Sequence, residues 1–535
     1  MSAARRSRTT RVVDKLRLIG GEMPAWSDRT PDARPPAGGP VMADLVGRFG
    51  RCLPAGGSVL VVGPHNDTLI DALGRYATVT CLVRGQPDAQ ALAARGVSTL
   101  CGMLAKLPDT DRYDAVVALD GMDRVCSVEG PQYDWEESLQ ALARLLRPHG
   151  TLLLAVENEL GVHRLVATGA ATSAHTDAAW RPLGEFDTKP GSPAGLSARL
   201  TAEGLAVSWL AAGWPTPHAP TLVATPDALR DGPAGALSAT VAAAVGRAYA
   251  LQPVLSDPRR LAAAAVRAGL GAEFAPLWLV TAHRTPLPAT VFAPPPVLFG
   301  DGPVIELVPG PDGQWVRHAV GGGDLTKLDG PLPTGRLLEE LLLGACLRHD
   351  LSDLRRLLTG WARWLEALDP IDRGSATADN VLLDGDAFGL LDPCRPAAPV
   401  DATSAARAAL RPFAETLITG GYAHPWPVAV DADSLTAVLA GAAGLELDRT
   451  HTAHAEAARA AVPDAVRDHH EQLRALAEQL RDLRAQAQWY ADQLAGRDAE
   501  LRRARMQIAA FSGSIGYRIV RFGVRAARRA RKVIR

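Results

Sequence analysis

Between residues 58 and 158, short runs of continuous apolar residues alternate with stretches of helical periodicity, and no other feature constrains the fold as tightly. The first run is Ser58-Val59-Leu60-Val61-Val62-Gly63; others cover 79–83, 113–120 and 150–156. Leu69, Ile70 and Leu73 share one helical face after the first run, and Leu139, Leu142, Leu145 and Leu146 do so before the last. A strand that is apolar throughout is buried on both faces. Strands of this kind separated by amphipathic helices therefore predict an α/β, Rossmann-like fold, a parallel sheet covered on either side. In such sheets ligands sit beyond the carboxyl ends of the strands, where strand order reverses. Gly63 and Asp120 both stand at such ends.

The chain is 535 residues long, more than one ordinary domain needs. Residues 1–40, basic and then rich in proline and glycine, read as a disordered arm. The αβ domain is expected over 41–230, opening with a helix at 41–53 and ending with a helix at 196–205 and strands at 206–211 and 221–224. A second domain is expected over 235–445: alanine-rich helix, short strands between 276 and 320, helices at 337–347 and 351–368, and a β-hairpin over 379–393. Six cysteines form no C-x-x-C pair, which argues against a zinc knuckle or a disulfide framework. With no apolar leader and no run of about 18 apolar residues, a cytoplasmic setting is expected. A net charge of -1 supplies no global attraction to nucleic acid.

Toward the C-terminus, Val466, Leu473, Leu480, Ala487, Leu494, Leu501 and Ile508 recur every seven residues. Leu476, Leu483, Tyr490, Ala504 and Phe511 take the position three further on, with His469 and Arg497 as polar exceptions. Heptads sustained this far predict a coiled coil over 464–511, roughly 70 Å long, and hence a homo-oligomer. A long helix packed on its own domain is the alternative. From Arg502 onward there are eleven basic residues and no acidic one. Within 512–535, Ile515, Ile519, Phe522 and Val533 line one face, flanked by Arg518, Arg521, Arg525, Arg528 and Lys532. A basic amphipathic helix favours an anionic membrane surface, here the inner face of the cell membrane. A protein partner or a merely solvated tail are the alternatives.

The αβ domain resembles the class I S-adenosylmethionine-dependent methyltransferases. Val59 to Gly63 stands where their first strand and glycine turn stand, 113–121 is similar to their fourth strand, and Leu145-Leu146-Arg147-Pro148-His149-Gly150 to the turn into their fifth. Ala155-Val156-Glu157-Asn158-Glu159-Leu160-Gly161-Val162 is similar to a segment of bacterial methyltransferases fused to kinase-like domains and encoded among surface-polysaccharide genes. The resemblance implies S-adenosylmethionine as cofactor, held by Gly63, Pro64, His65, Asn66, Asp67, Val83, Arg84, Asp120 and Gly121, with Asp120, Glu157 or His149 as base. It also has departures. His65 and Asp67 replace two glycines of the turn, and Val83-Arg84 stands where an acid would hold the ribose hydroxyls.

The second domain resembles the aminoglycoside-phosphotransferase branch of the kinase fold through Asp379-Asn380-Val381-Leu382-Leu383-Asp384 and Leu390-Leu391-Asp392. The resemblance implies Asn380 and Asp392 as magnesium ligands. Ser375 stands where the catalytic base belongs, so phosphotransfer with Mg-ATP is not expected. The order of methyltransferase, degenerate kinase-like unit, coiled coil and basic helix is similar to bifunctional enzymes that cap O-antigen chains. Two functions follow: methyl transfer to a glycan, or a catalytically degenerate scaffold beside glycan-assembly enzymes.

Overall fold

The computed structural model describes residues 15–19, 35–108, 110–126, 131, 133–167, 188–250, 252–286, 291–320, 328–393, 401–426, 431–446 and 464–533. The chain divides into two compact units, Met1–Pro463 and Asp464–Arg535.

The first unit is built on a sheet that has 13 strands among the described residues. Its strands in chain order are β1 (Leu16–Leu18), β2 (Ser58–Val62), β3 (Thr78–Val83), β4 (Ser98–Cys101), β5 (Tyr113–Ala118), β6 (Leu146–Glu157), β7 (Ala206–Trp214), β8 (Leu222–Ala224), β9 (Leu277–His283), β10 (Val297–Phe299), β11 (Val304–Pro309), β12 (Trp315–Val320) and β13 (Gly330–Pro331). Across the sheet they run β1-β4-β3-β2-β5-β6-β9-β7-β8-β10-β11-β12-β13. Pairings from β1 to β6 are parallel, and those from β6 onward are antiparallel.

The apolar runs become strands because both faces are covered. Leu60, Val62, Val116, Ala118, Leu152 and Leu154 enter one core, with Leu139 and Leu142 of helix Trp135–Arg144. Their alternate neighbours Val59, Val61, Ala115, Val117, Leu153 and Ala155 enter another. That second core takes Met42, Leu45 and Phe49 of helix Pro40–Arg51 and Leu69 and Leu73 of helix Asp67–Gly74. The period of two distributes each strand between two hydrophobic layers.

Three expectations about domain limits are corrected here. Parts of the arm are ordered: β1 pairs with β4, and Ala37 is fully buried. The αβ domain does not end at 230, because β9 enters the sheet between β6 and β7, buried along its whole length. The strands at 297–331 make no separate small lobe, as a kinase-like unit would. They continue the same sheet from β8, since the edge of β8 leaves backbone groups that β10 pairs. A distinct core forms only from Leu338 to Ala443, where helices Leu338–Leu347, Leu351–Ala367, Ala402–Thr419 and Ala432–Ala442 pack together. It carries a three-stranded sheet, β14 (Arg336–Leu337), β15 (Val381–Asp384) and β16 (Ala387–Leu390), whose last two strands are the expected hairpin.

The second unit holds helices Asp464–Gly513 and Ile515–Val533. Leu476, Leu480, Leu483, Tyr490, Leu494, Leu501, Ile508 and Phe511 of the heptad stripe are exposed, as are Ile515, Ile519 and Phe522. No helix among the described residues is long and apolar enough to cross a membrane.

Candidate functional site

The chain passes from β2 to β3 and β4 on one side and returns to β5 on the other, so the order reverses between β2 and β5. Gly63 ends β2 with φ +88°, and Gly121 follows β5 with φ +78°. A Cβ at Gly63 would come no nearer than 3.9 Å to its closest neighbour, the Gly121 carbonyl oxygen. The two turns thus form a backbone cradle of the kind a nucleotide approaches.

His65 bridges the ends of the two strands. Its Nδ1 lies 3.0 Å from the Gly63 carbonyl oxygen, and the Leu119 N–H donates to its Nε2 at 3.1 Å. The ring therefore carries its proton on Nδ1 and spans the reversal point. Burial pushes its pKa down to about 4, so it is neutral at ordinary pH. At the end of β3, Arg84 is also buried and donates to the Cys126 carbonyl at 3.2 Å. Val83 packs in a small cluster with Ala89 and Cys101.

The remaining residues expected at the turn face elsewhere. Asn66 caps helix Asp67–Gly74 by accepting from the Thr68 N–H. Asp67 is exposed and pairs with Arg95. Residues 35–39 cross above them: Ala37 bridges to His65, the Asn66 N–H donates to the Ala37 carbonyl at 2.8 Å, and the Gly38 N–H donates to the His218 carbonyl at 2.9 Å.

The open space lies one strand over. A cavity of about 270 Å³ sits beyond the ends of β5 and β6, lined by Asp120, Gly121, Met122, Asp123, Arg124, Tyr133, Trp135, Glu157, Lys189 and His218, among others. Of the nine expected cofactor residues only Asp120 and Gly121 reach it. Asp120 is ion-paired with the buried Arg124, which also donates to the Pro35 carbonyl at 2.8 Å.

Glu157 accepts from His163 Nε2 at 2.8 Å and lies 2.8 Å from Arg164. Burial would raise its carboxyl, but the His163 hydrogen bond and the charges of His163, Arg164 and Lys189 outweigh it. They hold Glu157 well below the usual carboxylate range. Its carboxylate is therefore ionised and a weaker base than a free one. His149 is exposed at the amino end of β6, roughly 25 Å of extended strand from Glu157, and plays no part in the site.

His218 went unrecognised as a site residue. It sits in the Trp214-Pro215-Thr216-Pro217-His218 loop, half-buried, and burial pushes its imidazole below the ordinary value. Arg124, four residues after Asp120, and the pair Tyr133 and Trp135 were also overlooked; the i, i+4 spacing of Asp120 and Arg124 was the available signal.

Asn380, one of the two expected magnesium ligands, has another task. Asn380 is buried and its amide donates to the Ser375 and Asp392 carbonyls, both at 2.9 Å, while its oxygen accepts from the Asp392 N–H at 3.0 Å. Arg317 donates to the Leu391 carbonyl at 2.7 Å. The side chains are clamps on the hairpin, and among the described residues no group of three or more metal-ligating acids, histidines or cysteines occurs. Arg518, Arg521, Phe522, Arg525 and Arg528 are exposed on helix Ile515–Val533, which also contains Lys532.

No protein-family profile and no curated protein matches the sequence. Solved structures are similar over its first part. A methyltransferase from Geobacter sulfurreducens in complex with S-adenosylhomocysteine is 16% identical, with 48% of this chain and 95% of that one covered at TM-score 0.25. A methyltransferase from Thermotoga maritima is 14% identical, covering 46% and 92% at TM-score 0.26. An amino pentose methyltransferase from Micromonospora echinaspora is 16% identical, covering 33% and 86% at TM-score 0.22. The strand order itself, a parallel β4-β3-β2-β5-β6 with antiparallel β9 set between β6 and β7, is that of the Rossmann-like methyltransferase fold.

Proposed function

We propose that this protein is an S-adenosylmethionine-dependent methyltransferase that acts on a hydroxyl of a cell-surface glycan or its precursor. The observation that carries this reading is the cavity beyond β5 and β6, next to the order reversal where the fold binds its cofactor. Its wall combines the aromatic rings of Tyr133 and Trp135 with Asp120, Asp123 and Glu157, carboxylates that accept hydrogen bonds. That pairing suits a hydroxyl-rich ring. At about 270 Å³ the space admits one small group.

The backbone of Gly63 and Gly121 fits a nucleoside-sized cofactor, and His65 borders that space through its bond to the Leu119 N–H. The cofactor, once bound, supplies an electrophilic methyl group. This chain's residues would orient the acceptor against it, and positioning is the main catalytic lever. Neutral His218 is the candidate to take the acceptor's hydroxyl proton, with Glu157 as a fixed counter-charge nearby.

Two further features support a site of action. The exposed heptad stripe of helix Asp464–Gly513 suits pairing with a second copy. The basic, apolar-faced helix Ile515–Val533 suits the anionic inner face of the cytoplasmic membrane. A second reading, that of a catalytically degenerate scaffold tethered beside glycan-assembly enzymes, is favoured by one observation: His65 and Arg84 are both buried at the strand ends with satisfied side chains.

Titration calorimetry of the full chain with S-adenosylmethionine and S-adenosylhomocysteine separates the two. Micromolar binding supports the enzyme, whereas no heat at millimolar ligand leaves the scaffold.

A further inference from the structure

Residues 35–39 touch three separate strand ends within five residues. The Pro35 carbonyl accepts from Arg124, which follows β5. Ala37 bridges to His65 and accepts from the Asn66 N–H, both after β2. The Gly38 N–H donates to the carbonyl of His218, after β7. Pro35 and His218 also line the cavity.

The local sequence is shaped to this course. A Cβ on Gly38 would meet the Asn66 Cβ at 2.9 Å, closer than side chains approach, and Gly39 holds φ +100°. Glycine at both positions lets the backbone lie flat on the turn and then enter helix Pro40–Arg51.

We infer that residues 35–39 form an intramolecular strap, buttoned down on His65, that keeps the crevice between β2 and β5 closed, and that a nucleoside-sized ligand binds only when the strap lifts. The inference rests on reading that crevice as the cofactor site, and it adds the control of entry. His65 is held from two directions, by the strap through Ala37 and by the Leu119 N–H through its ring. Lifting the strap removes the backbone hold on the turn and leaves the ring held by Gly63 and Leu119 alone. The same movement frees the His218 loop, so the crevice and the cavity open together.

Gly38→Leu and the milder Gly39→Ala disturb the strap and leave every crevice residue in place. Both are compared with the full wild-type chain, using S-adenosylhomocysteine as the probe in titration calorimetry. Hydrogen exchange over residues 63–66 and at Leu119 reports the strap independently. The expected result is faster exchange in both variants and affinity at least tenfold tighter than wild type. Equal affinity in all three, with exchange faster in the variants, overturns the strap and leaves the cofactor reading standing. No binding by any of them, with exchange again faster, overturns both.

Discussion

The His65 bridge makes a quantitative prediction about acid. Its imidazole has an ordinary value of 6.5 when solvated and about 4 in the folded chain. A histidine whose folded pKa is lowered contributes stability above its unfolded pKa and loses it as pH falls, because the opened state takes up the proton first. The loss begins near pH 6.5 and is complete near pH 4. Between pH 7.5 and pH 5 the linkage amounts to about 2 kcal/mol, or roughly thirty-fold in the opening equilibrium. His65 is buried, 7% exposed, so solvent screening dilutes the effect little. The Leu119 amide is the reporter, since its N–H donates directly to His65 Nε2. Native-state hydrogen exchange, corrected for the intrinsic rate at each pH, should show the opening free energy at Leu119 falling by that amount. The variant His65→Gln should lose the pH dependence while other acid-sensitive groups continue to act. Identical pH dependence in wild type and His65→Gln would refute the assignment of the ring as the acceptor of that amide.

Arg259 is ion-paired with Asp257 and Glu339 at 3.1 Å each and joins helix Pro258–Arg267 to the helical core. Arg259→Met strands two buried carboxylates and should destabilise the first unit by about 3–5 kcal/mol, read as a lowered melting temperature, with partial recovery on adding Glu339→Gln. Asn380→Ala removes three hydrogen bonds to backbone and should cost about 1–3 kcal/mol, while millimolar magnesium with ATP shifts the melting of neither form. A shift confined to the wild type would restore Asn380 as a metal ligand. Leu480→Asp with Leu494→Asp places charge in the heptad stripe, and light scattering should then fall from a multiple of 56.4 kDa to the single-chain mass. A wild type already at the single-chain mass would remove the coiled coil.

Much of the sheet was legible because its signal is local. Four runs of continuous apolar residues, each bounded by turn chemistry, became β2, β3, β5 and β6 with shifts of a few residues at the ends. The hairpin over 379–393 was legible for the same reason. What escaped was pairing across long stretches of chain. The run that became β9 is as apolar as any, yet nothing within it says that it returns to a gap between β6 and β7 left more than sixty residues earlier. The same ignorance of long-range pairing puts the strands of 297–320 in a second domain and leaves β1 in a disordered arm. Strand identity is written in a few neighbouring residues, whereas strand position depends on which edge remains unpaired.

The site divides along the same line, and His65 shows why. In the sequence it is a glycine lost from a cofactor turn, evidence of decay. In three dimensions it is the partner of a backbone donor 54 residues away. A glycine at that position would leave the Leu119 N–H facing an empty crevice, and an unpaired buried donor costs about 1–3 kcal/mol. The histidine satisfies that donor and remains neutral while doing so. The ring thus pairs a backbone donor that a glycine at this position would leave without that partner. Arg84 acts in the same way at the end of β3, where its guanidinium holds the Cys126 carbonyl. The departures from the cofactor motif therefore divide: His65 and Arg84 are buried and hold backbone groups at the ends of β2 and β3, whereas Asp67 is exposed and pairs with Arg95.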